Sequence, residues 1–190
     1  MAWTLDPAHT SVSFSAKHLG VATVRGQFRG VDAQLELDDP ADPTTGRGTV
    51  TIDAASIDTG NAQRDAHLRS PDFLDAETHP TISFAVKSLR HKHGDTYEVT
   101  GDLTIRGATR EVMLDYEHNG KVTDPYGNVK VGGTLTGAIK RSEWGLTWNV
   151  PLGDGGWLVS DRVKLEIDGE LAQTKEAVAE EVAAEAATRS

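Results

Sequence analysis

The chain has 190 residues, no cysteine and a formal net charge of −10 at pH 7. Its length suits a single domain whose core needs no covalent cross-links, and the lack of cysteine excludes disulfides, a thiolate nucleophile and Cys-ligated metal. The acidic balance argues against nucleic acid or an anionic membrane surface as the main partner.

No apolar run approaches the roughly 20 residues that a membrane-spanning helix needs. The first residues, Met-Ala-Trp-Thr-Leu-Asp-Pro, lack the basic segment and apolar stretch of a secretory signal. The sequence therefore predicts a cytoplasmic protein without a transmembrane segment.

Apolar and polar residues alternate with a period of two from Val12 onward, which is typical of strands with one buried face and one solvated face. The positions predicted to point inward are Val12, Phe14, Ala16, His18, Val31, Ala33, Leu35, Leu37, Val50, Ile52, Ile82, Phe84, Val86, Tyr97, Val99, Leu103, Ile105, Val112, Leu114, Tyr116, Val131, Leu135, Ile139, Val163, Leu165, Ile167 and Leu171.

The pattern predicts about eight strands joined by short turns, in an all-β protein. Eight such strands can close into an up-and-down barrel, whose interior is either packed or holds one small ligand. Glycine also occupies the inward positions 101, 133, 137 and 169, where it marks a bend or a close approach. Together with Ala16 and Ala33, these glycines favour an interior cavity.

One stretch breaks the alternation, because Asn61 to Ser70 suits a short helix that Pro71 ends. The helix carries Arg64, Asp65 and His67, and two interpretations are open. It either plugs one end of the barrel, with Arg64 and Asp65 paired for structure, or presents polar groups to a ligand at the barrel mouth. In the fastening role, Arg64 would pair with a carboxylate from a neighbouring strand. We favour this role for Arg64 and Asp65 and a pore-facing role for His67.

Three tryptophans, Trp144, Trp148 and Trp157, fall in the glycine-rich stretch 141–157. Bulky apolar groups in such a loop either line an apolar pocket or form a small satellite core. Catalytic signals are weak, since no serine sits in a nucleophile-elbow sequence and the seven histidines form no HExxH motif. We therefore expect no metal and no cofactor.

The C-terminal stretch 173–190 is rich in alanine and glutamate and differs from the rest. It predicts a helix-prone, solvated tail. The sequence thus divides into a barrel over residues 1–172 and an acidic tail over residues 173–190.

Specific motifs extend from Trp3 to Leu171 and resemble those of the YceI-like family, lipocalin-like bacterial proteins that bind polyisoprenoids. The matching pieces are Trp3-Thr-Leu-Asp6, His9-Thr-Ser-Val-Ser-Phe14, Lys17-His18, Val24-Arg-Gly-Gln-Phe28, Ala55-Ser-Ile-Asp-Thr59, Asn61, Arg64-Asp65, His67-Leu68-Arg-Ser, Asp72-Phe73, His79-Pro-Thr-Ile-Ser-Phe84, Gly101-Asp-Leu-Thr-Ile-Arg-Gly107, Arg141-Ser and Trp144-Gly145.

The resemblance implies an eight-stranded antiparallel lipocalin-like barrel with a short helix near one end. Its pore would take a long isoprenoid chain, as in an isoprenoid quinone or a polyprenyl phosphate. Family members are often dimers, so a homodimer is expected, and many are exported. This chain departs from that pattern because it shows no signal and carries the acidic tail.

The first functional hypothesis is a non-enzymatic carrier or store for such a lipid. The candidate wall residues are Phe14, Phe28, Leu68, Phe73, Phe84, Leu103, Ile105 and Trp144, and the candidate head-group residues are His18, Arg64, Asp65 and His67. Two alternatives remain. One is an enzyme that modifies the lipid with His67 or His18 as general base. The other is a stress-related interaction protein that uses the barrel as a scaffold and the tail as a partner site.

Overall fold

The computed structural model describes residues 2–153 and 155–173, and most of them lie in β-strands. The elements are β1 (Ala2–Leu5), β2 (Ser11–His18), β3 (Ala22–Phe28), β4 (Val31–Glu36), β5 (Arg47–Asp53), β6 (Ile57–Asp58), α1 (Ala62–Arg69), β7 (Thr81–His93), β8 (Thr96–Ile105), β9 (Ala108–Thr123), β10 (Val129–Lys140), β11 (Pro151–Leu152), β12 (Gly156–Trp157) and β13 (Val159–Gln173).

The strands form a closed antiparallel barrel with eight positions, which confirms the predicted fold. At three of the eight positions, two successive short strands lie end to end. These pairs are β1 with β2, β3 with β4, and β5 with β6. The strand β13 closes the barrel, because it pairs with β1 at one end and with β2 along most of its length. Closure leaves the barrel with one inner face for a core or a ligand.

The chain bends between β3 and β4, where the sequence pattern predicts one continuous strand from Arg25 to Asp38. Gly30 lies at this bend, and a Cβ there would come within 2.9 Å of the Asp53 side chain. The bend allows β3 to pair with β6 while β4 pairs with β5.

Helix α1 follows the predicted limits closely. The Asn61 side chain caps its start by accepting a hydrogen bond from the Arg64 amide at 3.0 Å. The helix ends at Arg69, two residues before Pro71, because the residue before a proline disfavours helical backbone.

The two ends of the barrel hold separate cores. The larger one lies near α1 and includes Trp144, whose indole nitrogen donates to the Leu103 carbonyl at 3.0 Å. The smaller one consists of Trp3, Leu37 and Val131, and Trp3 donates to the Leu37 carbonyl at 3.1 Å. Residues of both cores also line cavities inside the barrel.

Two of the inward glycines mark a close approach, which is one of the two roles that the sequence analysis gave them. A Cβ on Gly101 would come within 2.4 Å of the Phe84 ring, and one on Gly133 within 2.2 Å of the Tyr116 ring. These glycines therefore make room for a neighbouring aromatic side chain and are not themselves the source of the empty volume. Of the four, only Gly169 has no described atom within 4 Å of its built Cβ.

The last barrel strand ends at Gln173, which is buried. The strand therefore continues one residue into the predicted tail. The remaining tail, residues 174–190, lies outside the described residues, so its helical character stays a prediction.

Candidate lipid-binding cavity

Three cavities follow one another along the barrel. The outer cavity, of about 240 Å³, lies beside α1 and the tryptophan loop. The central cavity has about 230 Å³ and the inner cavity about 170 Å³, and both are lined by inward residues of the barrel strands. Neighbouring cavities share wall residues, such as Phe14 and Phe73 between outer and central, and Leu135 and Phe84 between central and inner. The shared wall residues place the three cavities in series inside the barrel, and we call this series the path.

The predicted wall residues gather around the central cavity. Its lining is almost wholly apolar and includes Phe14, Phe28, Leu68, Phe73, Phe84, Leu103, Ile105 and Trp144. The structure thus brings all eight together, although they come from five elements and the connecting segments.

The predicted head-group residues divide into two sets. His18, Arg64 and His67 line the outer cavity together with Lys17 and Trp148, while Asp65 lines none of the three cavities. The outer cavity thus has a mainly apolar wall that also contains basic side chains, at the α1 end of the path.

Arg64 and Asp65 both bind Thr59, the residue that follows β6. The Thr59 amide and hydroxyl donate to Asp65 Oδ1 at 2.9 and 2.5 Å. Arg64 Nε donates to the Thr59 hydroxyl at 2.7 Å, and its Nη2 donates to the Thr59 carbonyl at 3.0 Å. This geometry fits a fastening role, but the partner is threonine and not the strand carboxylate considered from the sequence.

His67 occupies a different environment on the same helix. Its Nε2 lies 2.9 Å from Asp72 Oδ2, and its ring packs edge-on against Phe73 and Trp148 at centroid distances of 5.1 and 4.6 Å. The imidazole is therefore held in one orientation at the wall of the outer cavity. A held imidazole can donate or accept one hydrogen bond to a ligand oxygen.

The three tryptophans of the loop have three different roles. Trp144 belongs to the buried core, Trp148 lines the outer cavity, and Trp157 is exposed. Both interpretations of the loop therefore hold, each for a different residue.

A buried arginine completes the wall of the central cavity. Arg141 donates from Nε to the Ser160 carbonyl at 3.1 Å and from Nη1 to the Leu146 carbonyl. Its guanidinium carbon lies 5.9 Å from the centre of the Phe73 ring. Burial lowers the Arg141 pKa, and the two carbonyls satisfy part of its hydrogen-bonding capacity, which reduces the cost of burial.

The inner cavity ends at a polar pair that the sequence analysis did not select. The hydroxyl of Tyr116 lies 3.1 Å from His118 Nδ1, and both residues line this cavity. Burial raises the pKa of Tyr116 to about 12 and lowers the pKa of His118. Both groups are thus uncharged hydrogen-bonding partners at neutral pH. The sequence signal that could have identified this pair is the i and i+2 spacing of its residues, which puts both on the inward face of a strand.

One cluster has the residue types of a metal site. Ligand atoms of Asp6, His9 and Glu170 lie within 4.8 Å of one another. However, the Lys130 ammonium contacts Asp6 at 3.3 Å and Glu170 at 2.5 Å. The hydrogen bond from His9 and that from Lys130 hold the pKa of Asp6 well below its usual range. The cluster is thus an ion-pair network whose cation is lysine.

Sequence comparison places this barrel among known proteins. Residues 3–171 match the YceI-like domain. A UPF0312 protein of Staphylococcus epidermidis is 37% identical over 169 residues, which cover 88% of this chain and 95% of the relative. A UPF0312 protein of Staphylococcus aureus is 38% identical over 169 residues, with the same coverage of 88% and 95%.

Solved structures show the same architecture. The YCEI protein of Campylobacter jejuni has 32% identity and a TM-score of 0.71, covering 84% of this chain and 90% of its own. BcnA of Burkholderia cenocepacia has 29% identity and a TM-score of 0.69, covering 90% and 99%.

A polyisoprenoid binding domain from Saccharophagus degradans has a TM-score of 0.63 and covers 92% of this chain and 99% of its own. At 14% identity, this similarity supports the fold alone. Within the part of the chain that the structure describes, no helix has the length and apolar character needed to cross a membrane.

Proposed function

Since the chain belongs to the YceI-like family, we propose that it binds a long apolar isoprenoid lipid in the barrel and carries or stores it without chemical change. The solved domain from Saccharophagus degradans, named for polyisoprenoid binding, has the same fold, and the proposal extends its ligand class to this chain. The proposed ligand is an isoprenoid quinone or a polyprenyl phosphate.

The succession of three cavities with a nearly continuous apolar wall is the observation that carries the proposal. An elongated apolar space suits a linear chain better than a compact ligand. Burial of one isoprene unit, about five carbon atoms, favours binding by roughly 4 kcal/mol before the costs of association and ordering. Several buried units therefore suffice for tight retention.

The two ends of the path differ in the head group that they suit. At the inner end, the neutral Tyr116–His118 pair could hydrogen-bond a quinone carbonyl or a prenol hydroxyl. A phosphate is less suited there, because the arginine in the lining of that cavity, Arg47, already pairs with Glu36 and Asp38. At the outer end, Lys17 and His18 could accommodate a phosphate. We therefore propose that a quinone head would bind at the inner end and a phosphate head at the outer end.

Two other functional hypotheses remain distinguishable. An enzyme with His67 or His18 as general base would convert its lipid during incubation, whereas a carrier would return it unchanged. A scaffold protein would bind a protein subunit and contain no lipid. The homodimer and the cytoplasmic location stay predictions, which sizing by light scattering and cell fractionation would test.

Native mass spectrometry of the protein purified from its own source tests the carrier proposal directly. We expect a mass excess that organic extraction removes, and an extract that contains an isoprenoid lipid. Protein without any lipid, or with a bound subunit in its place, would overturn the proposal.

A matched pair of variants connects the lipid to the cavity. Leu135 lines both the central and inner cavities, so Leu135→Trp should block the path, while the exposed neighbour Thr136 provides the control Thr136→Trp. Overfilling costs about 1–3 kcal/mol of stability. The blocked variant should lose retained lipid and the control should keep it; equal retention would locate the lipid elsewhere.

A further inference from the structure

Large apolar side chains are exposed around the outer cavity. Leu19, Val21, Val150 and Trp157 are 42%, 82%, 42% and 60% exposed. We call these four residues the rim. Exposed apolar groups that cluster mark interaction sites more often than single ones do.

Hydrogen bonds hold the rim together as one surface. The Leu19 amide donates to the Leu158 carbonyl at 2.9 Å, and the Leu158 amide donates to the Val150 carbonyl at 2.9 Å. Pro151 pairs with Trp157 in the β11–β12 hairpin. Since Leu158 and its neighbour Val159 line the outer cavity, the rim adjoins the mouth of the cavity.

The tip of the β2–β3 hairpin is strained in a way that favours a role for its apolar side chain. Leu19 has a φ of 54°, in the left-handed region that glycine and asparagine tolerate and leucine disfavours. A hairpin built for stability alone would place Asn or Gly at this position. Here the backbone strain accompanies an exposed leucine beside the cavity mouth.

One cation next to the rim is available to a ligand. The Lys17 ammonium donates to the Thr23 hydroxyl at 2.9 Å, and across residues 2–153 and 155–173 no carboxylate lies within ion-pair distance of it. By contrast, Lys87, Lys92 and Lys130 each pair with carboxylates. An ammonium beside an apolar surface matches the phosphate that borders the hydrocarbon of a lipid layer.

We propose that the rim docks on the surface of a zwitterionic lipid bilayer and that lipid passes there between bilayer and barrel. This inference rests on the proposed lipid-carrier function. Tryptophan is enriched where one side of a group is apolar and the other is hydrated, as at a membrane interface. The net charge of −10 makes a zwitterionic bilayer a better partner than an anionic one.

The chain itself offers a matched control. Val122 and Tyr126, 61% and 86% exposed, lie near the β9–β10 hairpin at the other end of the barrel. The rim variant combines Val21→Asp and Trp157→Asp, and the control variant combines Val122→Asp and Tyr126→Asp. The test compares vesicle binding by these two variants. Flotation with vesicles of phosphatidylcholine and phosphatidylethanolamine, free of isoprenoids, measures binding.

We expect the wild type and the control variant to float with the vesicles and the rim variant to bind about 100-fold more weakly, since each buried apolar side chain contributes roughly tenfold. Circular dichroism establishes that both variants are folded. Vesicles with brominated acyl chains should quench the Trp157 fluorescence of the wild type, and Trp157→Phe should remove that quenching.

Three outcomes would overturn the proposal: no flotation of the wild type, equal loss in both variants, or a rim variant that changes oligomeric state while it still floats. The last outcome would assign the rim to a second copy of this chain. Mass spectrometry distinguishes a failure of this proposal from a failure of the carrier proposal. A protein that retains lipid but does not bind vesicles would refute the docking proposal alone. A protein that floats with vesicles but contains no retained lipid would refute the carrier proposal alone.

Discussion

The Thr59 hydroxyl should be a main fastening point of helix α1. It donates to the buried Asp65 carboxylate at 2.5 Å and accepts from Arg64 Nε at 2.7 Å. Thr59→Val keeps the shape of the side chain and removes both hydrogen bonds. The amide of Thr59 still donates to Asp65, so the carboxylate loses one of its two donors from this residue.

The expected loss follows from the burial of the two partners. A hydrogen bond to a charged group contributes about 1.5–3 kcal/mol, and the value falls as exposure increases. Asp65 is 7% exposed, so the whole range of contributions applies to its hydrogen bond with the Thr59 hydroxyl. The Arg64 bond is only partly buried and takes the lower part of that range. We therefore expect the free energy of unfolding to fall by about 3 kcal/mol, or roughly 6–12 °C in melting temperature.

Chemical denaturation measures this change, with Thr104→Val as the control. The Thr104 hydroxyl bonds the Thr109 hydroxyl at 2.8 Å on an exposed part of the β8–β9 hairpin. That variant should lose less than about 1 kcal/mol. Amide exchange in α1 should also accelerate for Thr59→Val alone. If both variants lost the same free energy within about 0.5 kcal/mol, the fastening argument would be wrong.

Three further predictions address the cavity and the tail. Arg64 and His67 both line the outer cavity, but two hydrogen bonds to Thr59 hold Arg64, so Arg64→Ala should lower the melting temperature more than lipid affinity. His67→Ala should do the reverse, because His67 makes one exposed contact with Asp72 and otherwise packs at the cavity wall; swapped effects would reassign both residues. Burial raises the Tyr116 pKa from 10.0 to about 12, so the folded state favours the protonated phenol, and stability should fall by about 2–3 kcal/mol as pH rises from 10 to 12. Tyr116→Phe should lack this part of the alkaline loss in denaturation measurements; an identical pH profile would mean that Tyr116 is not desolvated. Deletion of residues 174–190 should leave the melting temperature and lipid affinity unchanged, since the last strand ends at Gln173, and a fall of many degrees would place the tail against the barrel.

The limits of the prediction from sequence are clearest around the helix. The spacing of Arg64 and His67 at i and i+3 indicates a shared face, with Asp65 turned away by roughly 100°. The spacing gave no indication that Arg64 and Asp65 meet at Thr59, since that contact depends on how the helix folds back on the end of β6. It also left open whether Trp148 or Trp157 would be the exposed one.

The amino-acid sequence by itself determined the local order of this protein. Alternation with a period of two specified the strands and their inward faces, and the change of period between Asn61 and Pro71 specified the helix. These features depend on residues close together along the chain, because backbone geometry sets the direction of each side chain from its neighbours. The family motifs extended that order to a barrel.

Only the tertiary structure decided which distant residues meet. Barrel closure and strand register bring the Tyr116–His118 pair to the end of the inner cavity and join the hairpins that form the rim. A shift of register by one residue would reverse every inward side chain, so such sites exist only once all strands are paired. The empty volume also arises there, because it is the space that remains after eight strands have enclosed their side chains.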